Sequence, residues 1–172
     1  HAKNLKQGPQ DIYKQAVNPE TEKIAAVFEQ YEKALRSANA LDFDDLLLEA
    51  VRLLHTDKGT REAWNRRLSY VMVDEYQDTN RSQYELMRLL TEAQGNVCVV
   101  GDEDQSIYSW RGADIRNILD FERDFPNAKT IRLEQNYRST KNILAAAGAV
   151  VGSPGLCVTS VVVGGVVDRS AR

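Results

Sequence analysis

The spacing of apolar residues changes once along this chain. Up to about residue 68 they recur at helical intervals; from residue 70 they come in short unbroken runs separated by polar, helix-length segments. Residues 1–17 are polar and carry little pattern. Asn18-Pro19-Glu20 predicts a helix start, with Asn18 as N-cap and Pro19 at the first helical position. Ile24, Phe28, Tyr31, Leu35 and Ala38 then fall on one face. A second helix is expected from Asp42, with Phe43, Leu46, Leu47, Ala50, Val51 and Leu54 as its apolar stripe. Lys58-Gly59-Thr60 interrupts the pattern, and a short helix is expected over Arg61–Leu68.

From Tyr70 the chain reads as strand, loop and helix in alternation. Tyr70–Val73 is a short apolar run that predicts a strand. Asn80 with Gln83 has the spacing of a capping box, for a helix running to about Ala93 and ended by Gly95-Asn96. Val97-Cys98-Val99-Val100 is the pattern of a strand buried on both faces. Asp114–Phe125 predicts an amphipathic helix stopped by Pro126, Thr130–Leu133 a third strand, and Ser139–Ala149 a further helix. This alternation predicts an α/β fold with a parallel sheet, preceded by a helical segment. Residues 149–172 depart from it. They are rich in Val and Gly, carry no charge before Asp168, and follow neither period. The expectation for them is out-of-frame translation or a poorly ordered tail, the former preferred.

Composition narrows the picture. The 172 residues suffice for one ordinary domain. A net charge of -3 gives no global attraction for nucleic acid, so any such role needs a local site. Two cysteines, Cys98 and Cys157, make neither a disulfide framework nor a zinc site, and Cys98 reads as a small core residue. Two histidines exclude a His-rich metal centre. No signal peptide or membrane span is visible, so a cytoplasmic protein is expected. The first residue is His1 and not Met, which suggests a fragment or a tag remnant.

Candidate chemistry sits where the apolar runs end. In an open parallel sheet, ligands bind beyond the carboxyl ends of the strands. Val71-Met72-Val73 runs directly into Asp74-Glu75. Such a pair suits a magnesium ion bridging nucleotide phosphates, with Asp74 holding the metal and Glu75 polarising the attacking water. The alternative is two acids capping the next loop. The second buried run ends in Gly101-Asp102, which favours chemistry over capping. After it come Gln105, which can hydrogen-bond a phosphate oxygen, and Tyr108, Trp110 and Arg111, a composition suited to stacking single-stranded bases. The aromatics could instead anchor the loop in the core. Tyr137 and Arg138 follow the third strand, where a ring can stack on a nucleobase and a guanidinium can reach a phosphoryl group. A salt-bridged arginine is the competing reading.

The strings VDEYQDTN, GDEDQSIYSWRGAD and LEQNYRST, in this order and spacing, resemble motifs II, III and IV of the UvrD/PcrA/Rep family of superfamily 1 DNA helicases. LDFDDLL at 41–47 is similar to a further family motif upstream; Asp42 there is equally explained as a helix N-cap. The resemblance is strong over residues 41–147. It implies a partial RecA-like parallel sheet with flanking helices. It implies that Asp74 coordinates Mg2+, Glu75 activates water, and Gln105 senses the γ-phosphate of ATP. Tyr137 would stack on adenine and Arg138 contact the γ-phosphate, while Tyr108, Trp110 and Arg111 would engage single-stranded DNA.

Two departures qualify this. No G-x-x-x-x-G-K-[ST] occurs, so the phosphate-cradling loop and its lysine are missing. The second RecA-like domain is missing too. The organisation that follows has residues 1–40 as the end of a helical insertion, 41–148 as the second half of the first RecA-like ATPase domain, and 149–172 as the atypical tail. The expected function is that of a fragment of an ATP-dependent 3′-to-5′ DNA helicase. Its expected partners are single-stranded and 3′-tailed duplex DNA and the remaining helicase domains. The chain alone is expected to be inactive. A fragment of a RecB/AddA-like helicase–nuclease, or a truncated non-enzymatic remnant, are the alternatives.

Overall fold

A computed structural model describes residues 2–133, 135–151 and 159–164. Its amino-terminal part is helical. After a short 3-10 turn at Lys3–Leu5 come α1 (Pro9–Gln15), α2 (Pro19–Ser37), α3 (Phe43–Thr56) and α4 (Lys58–Arg67). The caps are those the sequence predicts. Asn18 Oδ1 accepts from the Thr21 N–H at 2.9 Å, and Asp42 Oδ1 accepts from the Asp45 N–H at 2.9 Å. α4 differs from expectation. The Asp57 carboxylate accepts from the Thr60 N–H at 3.1 Å, so the helix begins at Lys58 and takes in Gly59 as part of its first turn.

The predicted stripes are only partly buried. On α2 just Ala25 is buried, while Ile24 and Tyr31 are exposed; on α3 Val51 and Leu54 are buried and Phe43 lies open. Those α3 residues pack with Leu89, Leu86 and Leu90 of α5 (Arg81–Thr91) as one small core. α5 carries the predicted reciprocal capping box: the Gln83 N–H donates to Asn80 Oδ1 at 2.9 Å and the Asn80 N–H to Gln83 Oε1 at 2.8 Å.

The second half builds a four-stranded sheet. It comprises β1 (Val71–Val73), β2 (Val97–Gly101), β3 (Lys129–Leu133) and β4 (Thr159–Gly164), in the order β1-β2-β4-β3. β1 and β2 are parallel, with Val71 beside Val97 and Val73 beside Val99. β4 is antiparallel to both β2 and β3, so the sheet is mixed and not purely parallel as expected. This strand comes from the Val/Gly-rich segment that the sequence pattern left without an assignment. Cys157 lies outside the described residues.

One face of the sheet is covered. Val97 and Val99 are buried with Tyr76, Met87 and Phe121, and Val73, Ile118 and Phe125 pack around them. Burying each such side chain is worth about 1.5–3 kcal/mol. The other face is more open, with Met72 73% exposed and Cys98 and Val100 half-buried, and β3 is exposed on both faces. Cys98, on β2, is half-buried and not the core residue expected, because β2 is fully covered on one face only.

The helix expected over Asp114–Phe125 is two one-turn pieces, α6 (Arg116–Leu119) and α7 (Phe121–Asp124). Between them Asp120 takes φ -93°, ψ 1°, the bridge conformation in which turns end. α8 (Lys141–Val151) follows β3. Among the described residues, no helix is long and apolar enough to cross a membrane.

Candidate functional site

Where β1 stops, its backbone turns sharply. Glu75 sits at φ 50°, ψ 42°, the left-handed region that costs a non-glycine residue about 1 kcal/mol or more. The Glu75 N–H donates to Asp74 Oδ1 at 2.9 Å, and the Asp78 N–H closes the turn on the Glu75 carbonyl at 2.9 Å. Asp74 and Glu75 both present their carboxylates to solvent beyond the carboxyl end of the strand. Asp74 Oδ2 makes no hydrogen bond among the described residues. An exposed carboxylate oxygen of that kind fits a hard cation that keeps most of its water. Glu75 Oε2 accepts from Gln77 Nε2 at 2.8 Å.

The loop after β2 meets this turn. Asp102, at the strand's end, is 4% exposed, and its N–H donates to Gln77 Oε1 at 3.0 Å. Its carboxylate accepts from the Asp104 N–H at 3.0 Å and from Gln105 Nε2 at 2.6 Å. Asp74, Glu75 and Gln105 therefore belong to one hydrogen-bonded group, running Glu75–Gln77–Asp102–Gln105. Gly101 is at its centre. A Cβ there would lie 2.7 Å from Gln77 Oε1, so only glycine leaves room for the amide.

Further along this loop the aromatics form a second group. The Tyr108 and Trp110 rings are 6.2 Å apart at 47°, and the Arg111 guanidinium lies over both, 5.1 Å from the first and 4.7 Å from the second. Trp110 is 66% exposed and so is no core anchor. The loop is held from behind. Asn4 Nδ2 donates to the Arg111 carbonyl at 3.0 Å, Asn80 Nδ2 donates to Asn4 Oδ1 at 3.2 Å, and the Asp114 N–H donates to the Thr79 carbonyl at 3.0 Å. Gly112 has φ +87° and lets Asn4 approach, since a Cβ would meet it at 2.9 Å.

Tyr137 and Arg138 stand apart from both groups. They follow β3 in a turn that Asn136 Oδ1 fixes by accepting from the Arg138 and Ser139 N–H groups, each at 2.9 Å. With β4 between β2 and β3, their strand is two spacings, about 9–10 Å, from β2. Tyr137 is 90% exposed, and the Arg138 guanidinium has no hydrogen-bond or ion-pair partner among the described residues.

Sequence reasoning missed Gln77, Asn4 and the Lys3 cluster. Gln77 is 1% exposed and carries no periodic signal, being one polar residue in a polar turn. Lys3 Nζ lies 2.6 Å from Glu32, 2.7 Å from Asp42 and 2.7 Å from Asp45. Among the described residues those three carboxylates are the one set close enough to share a metal ion, and the ammonium occupies their centre. Burial works against the charged Lys3, but hydrogen bonds to Asp42, Asp45 and Glu32 outweigh it and hold its pKa above the ordinary lysine range.

Residues 1–126 match the family model described as the UvrD/REP helicase N-terminal domain. The chain is 52% identical over 149 residues to a protein of Staphylococcus epidermidis named ATP-dependent DNA helicase PcrA, and 50% identical over 149 residues to one of the same name from Staphylococcus aureus. Each alignment covers 87% of this chain and 20% of the relative, so the chain spans about a fifth of the length of the curated relatives it matches.

Proposed function

The chain belongs to the UvrD/REP helicase family, and on that premise we propose that it is part of the first RecA-like motor domain of an ATP-dependent DNA helicase. The whole protein moves 3′ to 5′ along single-stranded DNA and unwinds 3′-tailed duplexes. The observation that carries this reading is the carboxylate turn. An acid pair stands exposed at the carboxyl end of β1, tied through Gln77 and Asp102 to a glutamine on the next strand's loop.

Each residue then has a task. Asp74 would hold Mg2+ through Oδ2, the carboxylate oxygen that the Glu75 N–H leaves open, and the ion would supply positive charge against the phosphates of ATP. Glu75 accepts the proton of the attacking water. Gln105 would contact the γ-phosphate, and Arg138 would supply positive charge to it. The exposed Tyr137 ring stacks on adenine. Tyr108 and Trp110, with Arg111 over both, form a platform for bases, and the loop they share with Gln105 couples nucleotide state to grip on DNA. The chain by itself lacks the loop that cradles phosphates, so on its own it does not turn ATP over.

The test is Glu75→Gln in the full-length protein. The amide keeps size and polarity but cannot take the proton. Hydrolysis should fall by about 10²–10⁴-fold with ATP affinity nearly unchanged. Ordinary turnover by this variant removes Glu75 from the role of base.

A further inference from the structure

Between Glu75 and the Asp102–Gln105 pair lies a buried side chain, Gln77, with no task assigned so far. Gln77 is 1% exposed, in the short turn Tyr76–Asp78. Both ends of its amide are engaged. Nε2 donates to Glu75 Oε2 at 2.8 Å and Oε1 accepts from the Asp102 N–H at 3.0 Å. The partners fix the amide's orientation, because a carboxylate only accepts and a backbone N–H only donates. A buried amide left unsatisfied costs about 1–3 kcal/mol, so this position tolerates few replacements. A methionine there removes the Oε1 acceptor from the Asp102 N–H. A glutamate keeps that bond but sets a second carboxylate against Glu75.

A second observation points the same way. Gly101 on β2 lies so close that a Cβ would sit 2.7 Å from Gln77 Oε1 and 2.9 Å from Ile118 Cδ1. Gly101 does not have the positive φ that demands glycine in a turn. What it supplies is room for the amide. The end of β2 is thus shaped around Gln77, and the next residue, Asp102, holds Gln105 at 2.6 Å.

We propose that Gln77 is a positioning residue. It aims the Glu75 carboxylate, held in a left-handed turn, and ties that aim to the β2 loop that carries Gln105, with Gly101 as the space that admits it. This rests on the proposed role of Glu75 as base. A change at Gln105 thereby reaches Glu75 through two side chains and one backbone N–H.

Two readouts test it. In the 172-residue chain, amide hydrogen exchange reports the Asp102 N–H. Gln77→Met should speed its exchange by about tenfold or more, whereas Gln77→Glu, which retains the acceptor, should leave it protected. In the full-length protein, Gln77→Glu should lower kcat for ATP by about 10–10²-fold, the cost of a small misplacement, with KM within about twofold. In a Glu75→Gln background the same substitution should cost almost nothing more, because it acts through Glu75. Wild-type kcat for Gln77→Glu while Glu75→Gln is slow overturns the positioning role and leaves Glu75 as base. Full additivity of the two losses makes Gln77 a scaffold residue and overturns it as well. If Glu75→Gln itself turns over normally, the underlying reading fails instead. Melting curves run beside both variants separate loss of fold from loss of aim, and a folded Gln77→Glu with wild-type kcat overturns the positioning role whatever becomes of Gln77→Met.

Discussion

The Trp110 ring stands largely in solvent, beside Tyr108 and against the Arg111 guanidinium. From sequence a tryptophan in a polar loop is as readily a core anchor as a stacking platform. In the structure it is 66% exposed. Stacking is worth about 1–3 kcal/mol per base, so Trp110→Ala in the full-length protein should weaken single-strand binding by roughly 5–150-fold. The melting temperature should hardly move, because little of the ring is buried. Fluorescent-oligonucleotide titration beside a melting curve checks both, and unchanged affinity in a folded variant takes Trp110 out of the DNA site. The placement of Asp74, Glu75, Gln105, Tyr108 and Trp110 in the loops after β1 and β2 was legible because each follows an apolar run. Gln77 was not, since its role depends on Gly101 from a strand 24 positions later, and no periodicity reports that approach.

Among elements, helix starts were the most legible features, because a cap is a local event between residues three apart. Asn18, Asp42 and Asn80 all accept from the expected N–H groups. Faces were less so, since which side of α2 is covered depends on partners outside the helix. The element least visible in sequence is the clamp at the amino terminus, where Lys3 joins α2 through Glu32 and α3 through Asp42 and Asp45. Lys3→Met leaves three carboxylates crowded together. That should cost about 1–3 kcal/mol at pH 7, less than a wholly buried pair, since Asp42 keeps 24% of its side-chain exposure. The pH dependence follows from Asp42. Burial pushes its carboxyl up, but hydrogen bonds from Lys3, the Asp45 N–H and Tyr31 outweigh that and leave it below the ordinary aspartate value. Its contribution is therefore full above that ordinary value and is lost as pH falls through the depressed one. Urea midpoints should show a clear gap between wild type and Lys3→Met at pH 7, shrinking at about pH 3. A gap that stays constant across this range contradicts the clamp.

At the scale of the molecule, the strand–helix alternation gave the α/β class, and the parallel β1–β2 pair bears it out. The mixed character of the sheet was not legible, because β4 arises from a Val/Gly-rich stretch with no clean period. The sheet edge where β1 and β2 end carries Asp74, Glu75 and Gln105, and no G-x-x-x-x-G-K-[ST] occurs in the sequence. Purified 172-residue chain should accordingly show no magnesium-dependent ATP turnover above buffer; turnover abolished by Glu75→Gln refutes this. The central claim is that the whole protein is a 3′-to-5′ helicase. Its most direct measurement is ATP-driven strand displacement by the full-length protein, on duplexes with either a 3′ or a 5′ single-stranded tail. The account predicts that the 3′-tailed duplex is unwound, that the 5′-tailed one is not, and that Glu75→Gln abolishes the activity. No ATP-dependent displacement, or displacement confined to the 5′-tailed duplex, contradicts it.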